Sequence, residues 1–305
     1  MNDTLAAAAP RADWLTPLEL LALGAIWGGS FLFMRVAAPI LGPTVLIAWR
    51  VALAAIFLLA IAAVSRRAIG VRAHWRHYLI LGACNSAVPF LLFAFAAQTL
   101  SASLLSIVNA TAPIFAAAIA GIVGRRLPSP KVTIGLVLGI VGVTVLASFD
   151  AVMLRSGAVV ALLAALGASL SYGIASNYAK SAPDVDPFAN ALGTMCAATL
   201  LVAPAAPFFP AHAQAGASVA MAVVALGVLC SGVAYLLFFR LIADLGPASA
   251  LTVTFLIPVF GVLWGRLFLG EPIGIHTLAG SAIVVVGTAL VTGFTPRMLR
   301  ARIVA

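Results

Sequence analysis

Charge is what this chain has least of. Asp, Glu, Lys and Arg make up 8% of its 305 residues, against 64% hydrophobic. A soluble domain carries about 25% charged residues and is about half apolar. No fold of this length has enough interior to hide so much apolar surface, so most of the protein faces lipid. Cysteine is scarce as well. Cys84, Cys196 and Cys230 all lie in apolar runs with no CxxC pair, which reads as small buried hydrophobes rather than a disulfide or metal framework. The four histidines, His74, His77, His212 and His276, fall in connectors or at the ends of apolar runs. There is no HExxH, no paired midplane carboxylate and no GxxxxGK[ST]. Catalysis therefore lacks its usual parts, and no cofactor is called for.

What charge there is has one dominant sign. The net charge is +9 and the pI is about 10.5, but the basic residues sit in short connectors between apolar runs. That distribution argues against nucleic acid, whose binding needs basic residues clustered on a wet surface. It fits anionic lipid and the excess of cations in cytoplasmic loops.

A bilayer core takes about 20 apolar residues per helix. Ten such runs are found, at 17–37, 44–64, 77–97, 101–123, 131–149, 157–178, 188–208, 217–239, 247–268 and 275–294. A cytoplasmic segment 1–16 precedes them and a basic cytoplasmic tail, 295–305, follows. The opening residues lack the basic region of a signal peptide, so the first run is expected to stay as a helix. With both termini in the cytoplasm, 13 cations fall inside, Arg66, Arg67, Arg125, Arg126 and Lys180 among them, and two, Arg35 and Arg155, outside. Arg50 and Arg266 fall within spans 2 and 9. The orientation expected is a multi-pass protein of the inner (cytoplasmic) membrane.

The chain repeats itself at an offset of 145. LGACNSAVPFLLF, Leu81 to Phe93, lies over LGVLCSGVAYLLF, Leu226 to Phe238. Without a gap the same register pairs Trp27 with Tyr172, Gly28 with Gly173 and Arg35 with Lys180. It also pairs Pro113 with Pro258, Phe115 with Phe260, Gly135 with Gly280 and Gly142 with Gly287; spans 2 and 7 match poorly. Five spans per repeat is an odd number, so the halves 17–150 and 151–294 must insert with opposite orientation. The connectors agree: RRLPSPK after span 4 carries three positive charges, and its mate GEPIGIH carries Glu271 and none. The fold expected is an all-α membrane protein, ten transmembrane helices as two inverted five-helix repeats around a central cavity. Inverted repeats of this kind are the mark of secondary transporters, with the site near the midplane between the repeats.

Ten spans in two inverted halves, WGGSF in span 1, the Pro113/Pro258 pair and the GE-P connector resemble the drug/metabolite transporter superfamily, and within it the ten-helix EamA-type exporters. The resemblance covers roughly residues 17 to 294. It implies a cavity lined mainly by spans 1, 3, 4, 6, 8 and 9, and export of metabolites such as amino acids. One departure is Arg126, where first-half members often carry an acid after span 4; topology accounts for it.

Polar groups inside a span are costly unless they are partnered or line water. The cavity candidates are Trp27, Asn85, Ser86, Asn109, Tyr172, Ser231, Tyr235 and Thr254. The serines and Thr254 can equally bond their own backbone or join helices, and the two asparagines can equally serve packing. Pro113 and Pro258 are candidate hinges or helix breaks, since each removes a backbone donor. Gly135, Gly139, Gly142, Gly280 and Gly287 mark close helix packing, internal or in a homodimer. Arg50 is expected to snorkel to the outer surface, with binding of a substrate carboxylate as the alternative. No Asp or Glu falls mid-span, which points to uncoupled transport. A proton-coupled drug or metabolite pump, a channel and an intramembrane enzyme are the other classes open. The partners expected are a small-molecule substrate and lipid, with no nucleic acid, and monomer and homodimer are both open.

Overall fold

The computed structural model describes residues 15–67, 70–125, 128–149, 154–246 and 250–293. The terminal segments, with Arg11, Arg297, Arg300 and Arg302, and the connector residue Arg126 lie outside the described residues. Among the described residues nine helices run in order: α1 Leu15–Ser65, α2 Val71–Ala97, α3 Ala102–Val123, α4 Pro130–Phe149, α5 Ala158–Ala179, α6 Pro187–Phe208, α7 Ala217–Leu245, α8 Val253–Leu269 and α9 Ile275–Thr292. All except α8, which is apolar but 17 residues long, have the length and composition to cross a membrane. Among the described residues no segment is a strand, as lipid demands of a chain whose backbone must satisfy itself.

The first helix is twice too long for one crossing, at 51 residues. It bends at Gly42, whose φ of 72° and ψ of 160° are not helical and favour a residue without a Cβ. Pro43 follows, and its missing N–H leaves the Pro39 carbonyl without a helical partner. The loop after α6 supplies the replacement: His212 donates from Nδ1 to Pro39 O at 3.2 Å and from its backbone N–H to Ile40 O at 2.9 Å. Spans 1 and 2 are thus the two arms of α1, joined by a kink rather than a loop. With α1 counted as two, the described residues hold ten apolar segments.

The 145-residue repeat is visible in the packing. A Cβ added at Gly28 of α1 would lie 2.7 Å from Phe260 Cβ and 2.9 Å from Gly261 N; one added at Gly173 of α5 would lie 3.0 Å from Phe115 Cβ and 2.9 Å from Ala116 N. Each contact is the other moved by one repeat. The same register relates Gly82, whose added Cβ would lie 3.0 Å from Ala198 N, to Gly227, whose added Cβ would lie 2.6 Å from Leu53 Cβ. Between α4 and α9 the relation becomes reciprocal. A Cβ at Gly135 would meet Gly287 O at 2.6 Å, and one at Gly287 would meet Gly135 O at 2.9 Å; Gly142 and Gly280 each meet the other's carbonyl at 3.0 Å. Since Gly135 matches Gly280 and Gly142 matches Gly287, the two helices pack as copies across a twofold. These glycines serve an internal seam where two backbones touch.

Two helices depart from regular α geometry at equivalent places. α2 is π-helical over Gly82–Ala87 and α7 over Ala225–Val233. Such wide turns are rare and recur at functional sites.

Candidate transport cavity

A cavity of about 600 Å³ lies between the two halves, walled by α1, α2, α3, α5, α7, α8 and the end of α9. Of the sequence candidates, Trp27, Asn85, Asn109, Pro113, Tyr172, Tyr235 and Thr254 line it. Ser86 and Ser231 are fully buried behind the wall. Asn85 and its repeat mate Cys230 reach the cavity, and the next residue along each helix is turned into the protein interior. Ser231 instead donates to Leu226 O at 2.9 Å. Thr254 reaches the wall with its hydroxyl also bonded to Leu251 O at 2.8 Å.

The two prolines are not used alike. α3 is interrupted by a turn at Ala110–Thr111, and Pro113 stands in the first turn of the helix that restarts, Ala112–Val123. The carbonyls freed by the break are taken up by side chains. Thr288 of α9 donates to Ala110 O at 2.7 Å, while Ser169 of α5 and Thr111 donate to Val108 O at 2.9 and 2.6 Å. Pro258 lies inside the continuous helix α8 and off the cavity wall. The expected symmetric pair of breaks is therefore not formed.

Aromatic rings form the cavity's sides in repeat-related pairs. Trp27 packs on Phe238 with centroids 5.2 Å apart, and its mate Tyr172 packs on Phe93 at 6.2 Å. Trp27 also meets Tyr235 edge-on at 6.3 Å, and Asn85 Nδ2 lies 3.5 Å from the Tyr235 hydroxyl. Ser30, Phe31 and Met34 complete the wall on α1. They stand three, four and seven residues beyond Trp27, the spacing of one helix face, which is the sequence signal that would have found them.

The arginine at the centre corrects a sequence expectation. Arg50 does not snorkel outward; it is 4% exposed and lines the cavity. It lies eight residues past the kink, roughly 12 Å along the helix axis, too deep for its side chain to turn back to the surface. Its Nε donates to Ser231 Oγ at 3.0 Å, and its guanidinium carbon lies 3.6 Å above the Phe90 ring. Nη1 approaches Met34 Sδ at 3.8 Å. The wall has no carboxylate among the described residues.

The two ends of the cavity differ. Lys180, Leu251 and Thr292, all exposed, stand at one end, which is open. At the other, Arg35 of α1 and Glu271 of the connector after α8 clasp the connector between α2 and α3. Arg35 Nη1 donates to Ala97 O at 2.8 Å and to Gln98 O at 2.7 Å, capping the C-terminus of α2. Glu271 accepts from Ala102 N at 2.7 Å, Ser103 N at 3.0 Å and Ser103 Oγ at 2.6 Å, capping the N-terminus of α3. A cation on helix carbonyls and a carboxylate on helix N–H groups both follow the helix dipole. Glu271 belongs to the second repeat and α3 to the first, so the clasp ties the halves together.

The EamA-like transporter family matches this chain twice, over residues 16–148 and 159–293. The chain belongs to the EamA-like transporter family. Two Bacillus subtilis (strain 168) proteins named as uncharacterized transporters are similar to it along most of their length. YoaV is 22% identical over 88% of this chain and 94% of its own, and YvbV is 24% identical over 90% and 91%. A solved crystal structure shares the fold, with a TM-score of 0.63 and 18% identity over 95% of this chain and 99% of that one. This EamA-like protein is accordingly a membrane transporter and not an enzyme, and its two family repeats are the halves that enclose the cavity.

Proposed function

We propose that the protein exports small organic metabolites, amino acids foremost, by alternating access and without a coupling ion. The observation that carries this reading is one cavity between inverted halves, open at the Lys180 end and clasped shut at the Glu271 end. A volume of about 600 Å³ lies within the range of small-molecule sites. Its walls offer rings, two amides and few charges, which suits an amino acid with a neutral or aromatic side chain. A cavity open at one end is what a carrier needs and a pore does not, so the carrier is preferred to the channel. Proton-driven carriers commonly place a carboxylate on the substrate path as the coupling group. The cavity wall carries cations and amides in that place, which favours the uncoupled mode.

The distribution of cations supports a cytoplasmic (inner) membrane protein with both termini inside. In that orientation the open end faces the cytoplasm and the clasp faces out, a state ready to load substrate for export. The test is uptake of labelled phenylalanine and threonine into proteoliposomes holding the purified protein, with no ion gradient. Saturable uptake, competed by unlabelled amino acid, is expected. Uptake that appears only with an imposed proton gradient would overturn the uncoupled mode; no amino-acid flux through folded protein would overturn the substrate.

A further inference from the structure

We propose that Arg50 is the substrate-anchoring residue of the cavity and that it selects solutes bearing a carboxylate. This rests on the cavity being the transport site, and it names the chemical class that site takes. Four observations bear on it. Arg50 is nearly fully buried yet lines the cavity. Its Nε is held by Ser231, which is itself fixed on Leu226 O, and Phe90 covers one face of the guanidinium. The fork is therefore locked in place, while the Nη2 hydrogens find no acceptor among the described residues. No carboxylate of the described residues comes within salt-bridge distance of it.

A guanidinium keeps its charge in a protein, and burying it without a counterion is costly. The missing partner is an anion that arrives and leaves. Two parallel N–H groups match the two oxygens of a carboxylate. Lys180 at the open end adds a second positive charge along the entry path and favours approach of anionic groups. Beyond the anchor, Trp27, Tyr172 and Tyr235 face the rest of the solute, and their rings accept an ammonium group as readily as an apolar side chain. Arg50 has no counterpart in the other half, where the repeat places buried Met195, so the cavity binds its solute at one end only.

The wild-type protein allows the test without a mutation. Displacement of labelled phenylalanine, or of labelled 3-phenylpropanoate if phenylalanine does not bind, is measured with phenylalanine, phenylalaninamide, phenethylamine, 3-phenylpropanoate and phenyl phosphate. The two carboxylates are expected to compete at least tenfold better than the amide and the amine. Equal competition by the amide or amine overturns the proposal while leaving amino-acid transport intact. Competition by 3-phenylpropanoate but not phenylalanine supports the carboxylate anchor and removes amino acids as the substrate. Stronger competition by phenyl phosphate, or no binding of any carboxylate, overturns it. Arg50→Met is expected to abolish discrimination between acid and amide, and Arg50→Lys to restore part of it. Arg50→Met that folds and still discriminates also overturns the proposal.

Discussion

Replacing Glu271 by Gln tests whether the clasp holds one end of the cavity shut. The carboxylate accepts three hydrogen bonds across the repeat interface, at 2.7, 3.0 and 2.6 Å. Bonds to a charged group contribute about 1.5–3 kcal/mol each. Gln keeps one acceptor oxygen, sets an NH₂ against backbone N–H donors, and gives up the attraction of a full charge to the helix N-terminus. Glu271 is half-buried, so solvent screening puts the net loss near the lower end, about 2 kcal/mol. If the clasp exists only in this state, that loss raises the population open at the Glu271 end roughly 30-fold, at tenfold per 1.4 kcal/mol. The assay is labelling of a cysteine placed at Met34, on the cavity wall, in a chain whose three native cysteines are replaced. An impermeant maleimide is confined to the Glu271 face of sealed vesicles. Glu271→Gln should label roughly 30-fold faster than the parent, and Ser103→Ala, which removes one bond of three, roughly fivefold faster. A change below threefold in Glu271→Gln would refute the clasp as the element that closes this end.

Four further substitutions have outcomes set by the packing. Gly142→Ala puts a methyl about 2.7 Å from Val284 Cγ2 and 3.0 Å from the Gly280 carbonyl and should lower stability by about 2 kcal/mol, seen as a lower melting temperature in detergent. Gly216→Ala, with nothing within 4 Å, should leave it unchanged. Thr288→Val keeps the side chain's shape but orphans the Ala110 carbonyl at the break in α3; a loss of about 1–2 kcal/mol is expected in denaturant titration. Trp27→Ala opens the wall facing Tyr235 and Phe238, and should raise the half-saturation concentration for an aromatic substrate more than for threonine in proteoliposome uptake.

The repeat was legible in the sequence because it is a packing constraint. Positions such as Gly28 and Gly173, or Gly135 and Gly280, have backbone or Cβ atoms within about 3 Å of where a side chain would begin, so only glycine fits both copies. The cavity wall was partly legible for a related reason: Trp27, Asn109 and Tyr172 are polar or aromatic where lipid would reject the one and space the other. What could not be read is local geometry. Nothing in GACNSA shows the π-helical turn that α2 forms there, with Asn85 on the cavity wall and Ser86 buried. Arg50 does not snorkel because it stands eight residues into the second arm of α1, past the kink at Gly42, and its side chain ends up inside the bundle. Pro113 and Pro258 have the same sequence signal, yet only the first stands beside a break. At that break Thr288, Ser169 and Thr111 take the freed carbonyls, and sequence spacing alone does not reveal such distant partners.

The glycine seam between α4 and α9 has a consequence for how this chain can be divided. Each half meets the other there as one subunit of a symmetric dimer meets its twin, through the same patch used twice. The covalent link between halves then adds local concentration rather than recognition. A chain severed near Arg155, expressed as two polypeptides, should therefore reassemble in one membrane, with the two pieces co-purifying through a tag on either. Gly142→Leu should part them, as a bulky interface residue parts a homodimer.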